Sequence, residues 1–124
     1  TVKNIRAVLN KGVPILGICL GSQILALAAG GNTYKLKFGH RGQNQPVLDK
    51  LTDRAIITSQ NHGFAVDMNS LGSGWSEWFV NLNDNTNEGI RHKKKPFLAV
   101  QFHPEATPGP LDGGYLFDEF LSYV

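Results

Sequence analysis

The segment that most constrains the fold is a strand–turn–helix near the amino terminus. Residues 13–18 are a short apolar run, and residues 22–29 are an apolar stretch of helical length that ends at Gly30. The segment Gly17-Ile18-Cys19-Leu20-Gly21 joins them. A buried strand that runs directly into a helix is typical of α/β proteins with parallel strands. We therefore predict an open, mixed but mainly parallel sheet flanked by helices.

The first eleven residues predict a helix that leads into this strand. Four apolar side chains share one helical face, and Gly12 follows as a stop signal: Val2, Ile5, Val8 and Leu9. A helix that enters a buried parallel strand is normally the second half of a β–α–β crossover. We therefore expect at least one strand of this domain to lie upstream of Thr1.

The rest of the chain alternates between predicted strands and turns, with no evident domain boundary. The predicted strands are Tyr34–Phe38, Arg54–Gln60, Trp78–Leu82, Glu88–His92 and Phe97–Phe102. The basic run Arg91–Lys95 is expected to be the solvated tip of a hairpin between the last two strands. Residues 107–114, rich in Gly and Pro, predict a loop, and residues 115–124 predict a closing amphipathic helix.

Composition excludes several classes of protein. The net charge of +2 comes from 12 basic and 10 acidic residues, which is too small a surplus to indicate a nucleic-acid partner. No apolar run approaches the roughly 18 residues of a membrane span, and residues 1–20 lack the features of a signal peptide. A single cysteine excludes an internal disulfide framework and fits a reducing compartment, so we expect a cytoplasmic protein.

Cys19 is the first candidate for chemistry. The spacing Gly-x-Cys-x-Gly between a strand and a helix matches a nucleophile elbow, with Cys in place of the Ser of other hydrolases. A helix that begins at Gly21–Ser22 directs its positive end at the thiol and lowers its pKa, which favours the reactive thiolate. The backbone N–H of Leu20 is suitably placed for an oxyanion. The competing interpretation is a buried structural cysteine.

His103 and Glu105 are the second candidate. A cysteine nucleophile needs a base, and the base needs a third group that holds its ring in one tautomer. Residues at i and i+2 of an extended chain point the same way, so Glu105 can reach the ring of His103. Both Cys19 and His103 follow predicted strands at their carboxyl ends, where open α/β sheets keep their sites.

The segment Ser59-Gln60-Asn61-His62-Gly63-Phe64 is a third candidate, for binding a small polar ligand after a strand. Taken alone, it would be interpreted as a turn. The four histidines at positions 40, 62, 92 and 103 show no metal-ligand spacing, so we predict no metal site. The chain has no Walker-type loop and no dinucleotide fingerprint, and we expect no cofactor in this domain.

These motifs, in this order, resemble the class I, triad-type glutamine amidotransferases, a fold related to flavodoxin. The residues 14–21 and 101–105 mark the family as a whole. The segments 41–46, 60–66 and 107–110 resemble its carbamoyl-phosphate synthetase branch, in the small subunit or a fused glutaminase domain. Asn87-Glu88-Gly89-Ile90 is similar to the fused eukaryotic forms. The resemblance implies that residues 1–124 are the carboxyl-terminal two-thirds of one glutaminase domain, with the glycine-rich oxyanion loop upstream.

The resemblance also implies a reaction. Cys19 attacks the side-chain amide of L-glutamine, and His103, oriented by Glu105, passes a proton to the departing ammonia. Water then releases glutamate from the thioester. Ammonia goes to a synthetase subunit or fused domain that uses ATP and Mg²⁺ to make carbamoyl phosphate for pyrimidine or arginine biosynthesis. The implied glutamine contacts are Leu20, Gln23, Asn61, Gly63 and Phe64.

Two alternatives stay open at this point. The chain resembles, less closely, a glutaminase that serves another synthetase, such as those that make anthranilate or GMP. It could also be a non-catalytic regulatory module of the same fold. One departure from the family pattern is Ser22, where the family usually has His after the second glycine of the elbow. That position is outside the triad and concerns local packing more than mechanism.

Overall fold

The computed structural model describes residues 1–104 and 115–124, except for the side chains of residues 43 and 44. Within this part of the chain, six strands form one open sheet in the order β1-β6-β5-β4-β2-β3. The helices are α1 (Val2–Lys11), α2 (Leu20–Ala28) and α3 (Tyr115–Leu121), with a short 3-10 turn at Met68–Ser70. The strands are β1 (Ile15–Ile18), β2 (Asn32–Asp49), β3 (Arg54–Asp67), β4 (Trp75–Asn81), β5 (Asn87–His92) and β6 (Phe97–Val100).

The predicted strand–turn–helix is confirmed. Helix α1 ends at Gly12, whose φ of 72° is the left-handed conformation that glycine adopts without strain. Strand β1 then pairs in parallel with β6, from Ile15 opposite Phe97 to Ile18 opposite Val100. Cys19 alone separates β1 from α2. The helix begins at Leu20 and not at the predicted Gly21–Ser22.

The prediction of an open, mixed α/β sheet is confirmed, but the expectation of mainly parallel pairing is wrong for the described residues. Only β1 and β6 are parallel there, whereas β2–β3, β2–β4, β4–β5 and β5–β6 are antiparallel. The reason is connection length. Short links such as those after Asp49 and His92 can join only antiparallel neighbours, because a parallel pair needs a long crossover.

A long antiparallel hairpin replaces two short predicted strands. Strand β2 has 18 residues and β3 has 14, with His40 opposite His62 and Arg41 opposite Asn61. The segment Ser59–Phe64 therefore lies within β3 and is not a turn that follows a strand. Two of its polar residues, Gln60 and His62, belong to a buried polar cluster between strands, and such residues are typical of turns when the sequence is considered alone.

Apolar side chains cover both faces of the sheet. Successive side chains of β6 point to opposite faces and join two different clusters. Phe97 and Ala99 join the cluster under α1 and α2, which also contains Leu9 and Leu25. Leu98 and Val100 point to the opposite face, where the second cluster includes Val47, Ile56, Trp78, Phe79, Phe102 and Leu116 of α3. A strand that is buried on both faces has a continuous run of apolar residues in its sequence, as residues 97–100 have.

A polar cluster lies between β2, β3 and β5 and is buried except at Asp84, which lies in the β4–β5 connection and has a side chain that is 42% exposed. We call it the His–Glu cluster: His40, Gln60, His62, Asp84 and Glu88. Glu88 has no exposed surface, and its two carboxylate oxygens lie 3.4 Å from His40 Nδ1 and 3.4 Å from His62 Nε2. Asn81 donates to the same carboxylate at 2.9 Å. A buried charge is tolerated best when it is paired and hydrogen-bonded. Glu88 is paired with both histidines and its Oε2 accepts from Asn81, whereas among the described residues its Oε1 has no hydrogen-bond partner.

Charge pairing shifts the pKa values within this cluster. The hydrogen bond with Glu88 raises the pKa of His40 to about 9, against the opposing effect of burial, and Asp84 contributes in the same direction. Burial alone would raise the pKa of Glu88, but hydrogen bonds from His40, His62 and Asn81 lower it below its usual range.

Among the described helices, none combines the length and apolarity needed to cross a membrane.

The two elbow glycines are expected to differ in their tolerance of alanine. A Cβ at Gly17 would lie 2.7 Å from the Gly21 carbonyl oxygen, whereas a Cβ at Gly21 would meet nothing within 4 Å. Gly17→Ala should therefore destabilise the fold by about 1–3 kcal/mol through overpacking. The control Gly21→Ala should leave stability unchanged or raise it by up to about 1 kcal/mol. Urea unfolding checks both, and equal losses would contradict this account.

His40 should make stability depend on pH above neutrality. Its folded pKa of about 9 exceeds the usual 6.5, so its contribution is complete below pH 6.5 and disappears as pH rises through 9. We expect the free energy of unfolding to fall by up to roughly 3 kcal/mol over that window. His40→Gln should remove this slope. Urea unfolding at several pH values measures it, and an unchanged slope in the variant would refute the assignment.

Candidate active site

Cys19 occupies a strained turn between β1 and α2. Its φ of 54° and ψ of −110° lie outside the regions that non-glycine residues normally adopt. The Cys19 N–H donates to the carbonyl of Val100 at 2.9 Å, so the turn is fixed to the end of β6. The side chain is partly exposed and lies at the amino terminus of α2, whose dipole stabilises a thiolate. A strained, presented cysteine fits a nucleophile better than a buried structural residue.

Gln101 supports this turn, a role that the sequence alone does not assign to it. Its side chain is 1% exposed, and its amide Nε2 donates to the Cys19 carbonyl at 3.2 Å and lies 3.9 Å from Cys19 Sγ. Its Oε1 accepts from Gln23 Nε2 at 3.2 Å. The sequence feature that could have indicated this role is the position of Gln101, a polar amide directly after the apolar strand 97–100 and within the family motif 101–105. Gln101 thus joins the elbow to α2.

His103 leaves the sheet at the same edge as Cys19, because β1 and β6 run parallel and both residues follow the carboxyl ends of those strands. The predicted strand Phe97–Phe102 ends at Val100, and an isolated bridge then joins His103 to Ser59, with the His103 N–H donating to the Ser59 carbonyl at 3.0 Å. Glu105 and the segment Thr107–Pro110 lie outside the described residues. The contact predicted between Glu105 and His103 therefore stays a prediction.

The residues predicted to contact glutamine converge from two directions. Gln23 of α2 donates to the carbonyl of Phe64 on β3 at 3.4 Å, which joins the elbow helix to the hairpin. Asn61 and Gly63 lie on β3 between Phe64 and the residue that is bonded to His103. Leu20 is 64% exposed and Phe64 46%, so both apolar side chains stand open to solvent beside Cys19 and Gln23. The hydrogen bonds of Gln23 to Gln101 and to the Phe64 carbonyl thus bring the elbow helix and β3 together beside Cys19.

Ser22 is fully buried, and among residues 1–104 and 115–124 its Oγ has no hydrogen-bond partner. This is the position at which the chain departs from the family pattern. The Ser22 hydroxyl lies in the first turn of α2, two residues after Leu20. The departure leaves an unsatisfied polar atom in the packing of α2, and it leaves Cys19 in place.

His40, His62 and Glu88 are the described residues that could hold a metal ion, since one ligand atom of each lies within 4.8 Å of the others. The spacing of positions 40, 62 and 88 in the sequence does not indicate this proximity, because these residues are brought together only by strand pairing. The ring nitrogens that face Glu88 also face Gln60 Oε1, at 3.1 Å and 2.7 Å. Hydrogen bonds therefore already occupy the positions that a cation would use.

Comparison with known proteins agrees with the geometry. Residues 1–123 match the family model described as glutamine amidotransferase class-I. The chain is 60% identical over 112 residues to the carbamoyl phosphate synthase arginine-specific small chain of Aspergillus clavatus, covering 90% of this chain and 25% of that protein. It is 54% identical over 125 residues to human mitochondrial carbamoyl-phosphate synthase [ammonia], covering 99% of this chain and 8% of that protein.

A solved structure extends the agreement to the fold. A putative GMP synthase subunit from Thermoplasma acidophilum superposes with a TM-score of 0.82 at 25% identity, covering 98% of this chain and 63% of that one. The chain thus spans a quarter or less of the two curated relatives and under two thirds of the solved neighbour. The resemblance inferred from the motifs around Cys19 and His103 is confirmed: the chain belongs to the class-I glutamine amidotransferase family.

Proposed function

We propose that this chain hydrolyses the side-chain amide of glutamine through a thioester on Cys19. The observation that carries the proposal is the conformation of Cys19, held at φ 54° on the strand-to-helix turn, beside the strand that leads to His103. Strain of this kind persists where the surrounding structure fixes it, and it is typical of active sites. The turn exposes one sulfur to solvent and to the amino terminus of a nine-residue helix.

The reaction has two halves. The Cys19 thiolate attacks the amide carbon, and the tetrahedral oxyanion accepts a hydrogen bond from the Leu20 N–H. His103, oriented by Glu105, protonates the leaving nitrogen, which departs as ammonia and leaves a γ-glutamyl thioester. His103 then takes a proton from water, the resulting hydroxide attacks the thioester, and glutamate leaves with the thiolate restored. Gln101 keeps the Cys19 carbonyl in place during both halves.

For glutamine binding, we propose the contacts that the family resemblance implies. Gln23 and the Phe64 backbone supply polar groups beside the elbow, and Asn61 and Gly63 extend that surface along β3. Leu20 and Phe64 offer apolar contact to the aliphatic part of the ligand. A site that binds a substrate amide through fixed hydrogen bonds rejects analogues that lack it.

We further propose that the ammonia goes to a carbamoyl-phosphate synthetase subunit or fused domain, which supplies the ATP and Mg²⁺ chemistry. Support comes from the 54–60% identity to proteins named carbamoyl phosphate synthase, against 25% to the putative GMP synthase subunit. The names of the relatives include an arginine-specific chain and a mitochondrial enzyme, so pathway and compartment are set by the whole protein. The cytoplasmic location stays an expectation.

A second candidate is a domain that keeps the fold without hydrolysing glutamine. The name of the human relative specifies ammonia, which favours considering this possibility. The presence of Cys19 on a strained turn and of His103 at the adjacent strand end favours turnover instead.

Replacing the nucleophile is the direct test. In the full-length protein, Cys19→Ser and His103→Asn should each lower glutamate release from glutamine by at least about a thousandfold, because each removes a member of one catalytic unit. Synthesis from added ammonium should continue, which serves as the folding control. Glutamate release from Cys19→Ser at the wild-type rate would refute the proposal.

Alkylation distinguishes a catalytic thiol from a structural one. At pH 6, where an ordinary thiol with a pKa of about 8.5 is almost fully protonated, Cys19 should react rapidly with iodoacetamide because the helix terminus favours its thiolate. Glutamine should slow the reaction. Peptide mass spectrometry gives the rate at Cys19. An inert cysteine, or one that glutamine does not protect, would support the non-catalytic candidate.

A further inference from the structure

One face of β3 turns away from the His–Glu cluster and lies next to His103. Alternate residues of a strand point to the same face, and Ser59, Asn61 and Gly63 alternate with two members of that cluster. An isolated antiparallel bridge joins Ser59 to His103. Because partners in such a bridge place their side chains on the same face, the His103 side chain shares the face of β3 that carries Asn61 and Gly63.

Arg41 extends this face on the neighbouring strand. It pairs with Asn61 in the register of β2 and β3, so the two exposed side chains are cross-strand neighbours. A Cβ built on Gly39 would lie 2.8 Å from Arg41 Cζ, and a Cβ built on Gly63 would lie 3.7 Å from Arg41 Nη2. The guanidinium therefore lies close to both glycines, with Nη2 next to Gly63.

Position 39 accommodates this guanidinium only as glycine. A Cβ there would overlap the Arg41 side chain, and it would also lie 3.1 Å from the carbonyl oxygen of His62. Glycine is common where another group must approach the backbone closely. Gly39 thus lets the Arg41 side chain lie against the hairpin, which holds the cation beside Gly63.

The guanidinium of Arg41 forms no ion pair within residues 1–104 and 115–124. The two carboxylates of the His–Glu cluster, Asp84 and Glu88, contact the histidines instead. Lys35 and Lys37 of the same strand add positive charge. A planar guanidinium fits a carboxylate through two parallel hydrogen bonds. A ligand with a carboxylate would therefore supply a partner that the described part of the chain does not.

Glutamine carries such a carboxylate, and the length of the molecule suits this face. Two residues of a strand span about 7 Å, which is the separation along β3 between the bridge to His103 and the pairing with Arg41. An extended glutamine has a similar length from its side-chain amide to its α-carboxylate. A substrate that lies along β3 with its amide beside His103 would therefore bring its α-carboxylate to Arg41.

We propose that Arg41 determines substrate specificity by binding the α-carboxylate of glutamine through two parallel N–H···O bonds. This inference rests on the proposed glutaminase function, and it adds a recognition group to it. Arg41 takes no part in the chemistry at Cys19, so its contact is the same before and during the reaction. The loss of such uniform binding raises the KM for glutamine and leaves kcat almost unchanged.

The test is Arg41→Gln in the full-length protein, assayed for glutamate release from L-glutamine. We expect KM to rise at least about tenfold with kcat within about twofold, because a charged hydrogen-bonded pair is lost. A second measurement uses L-glutaminamide, in which a neutral amide replaces the α-carboxylate, as a competitive inhibitor of glutamine hydrolysis. Its inhibition constant should differ by less than about twofold between variant and wild type, since it forms no ion pair with Arg41.

Two further variants serve as controls. Lys37→Gln removes the same charge from an exposed position of the same strand, where the Lys37 ammonium lies 5.7 Å from the centroid of the Phe38 ring. Its KM for glutamine should stay within about twofold of wild type. Arg41→Lys keeps the charge and loses the paired geometry, so its KM should rise by about threefold. Synthesis from added ammonium shows that each variant is folded.

Any of three results would overturn the inference. One is a KM for glutamine that Arg41→Gln leaves unchanged. Another is an inhibition constant for glutaminamide that weakens by the same factor as KM, since Arg41 would then support the shape of the site and not bind the carboxylate. The third is a fall in kcat with KM unchanged, which would mean an effect on Cys19 or His103. A wild-type protein that releases no glutamate refutes the proposed function instead, so the two failures are distinguishable.

Discussion

The parallel pairing of β1 with β6 is the constraint on which the site depends. It aligns two strand ends that are about eighty positions apart in the sequence, and it continues one step further as the Cys19 N–H bonds the Val100 carbonyl. That bond fixes a backbone conformation which an isolated cysteine would not hold. Because β6 is buried on both faces, the residues that follow it leave the sheet in a defined direction. Cys19 and His103, the proposed nucleophile and base, thus leave the sheet at the same edge.

Polar groups then link this apolar frame to the hairpin. The chain of amides from Cys19 through Gln101 and Gln23 to the Phe64 carbonyl crosses from α2 to β3. Behind it stands the His–Glu cluster, whose buried carboxylate would be costly without its histidine partners. The long β2–β3 hairpin therefore has a second role besides sheet formation. It carries the residues proposed to contact glutamine, and it also supplies His40 and His62 to the buried cluster.

The sequence predicted local features well and long-range polar contacts poorly. The turn around Cys19 could be predicted because its strand, glycines and helix are contiguous. His103 could be proposed from its place at the end of a predicted strand, and both motifs together carry the resemblance to the family. The cluster of His40, His62 and Glu88 could not, because no spacing in the chain encodes the register that brings them together. The same reason explains why Ser59–Phe64, taken alone, would be interpreted as a turn and not as part of β3. A polar segment predicts a loop when the sequence does not reveal the buried partners of its side chains.

The account centres on a covalent intermediate at a single sulfur, so the most direct measurement is to find it. Peptide mass spectrometry of the full-length protein, quenched in acid during turnover of isotope-labelled glutamine, should show the labelled glutamyl group on the peptide that contains Cys19. The label should disappear when the thioester is treated with hydroxylamine. Continued release of glutamate from protein whose Cys19 has been fully alkylated would contradict the account.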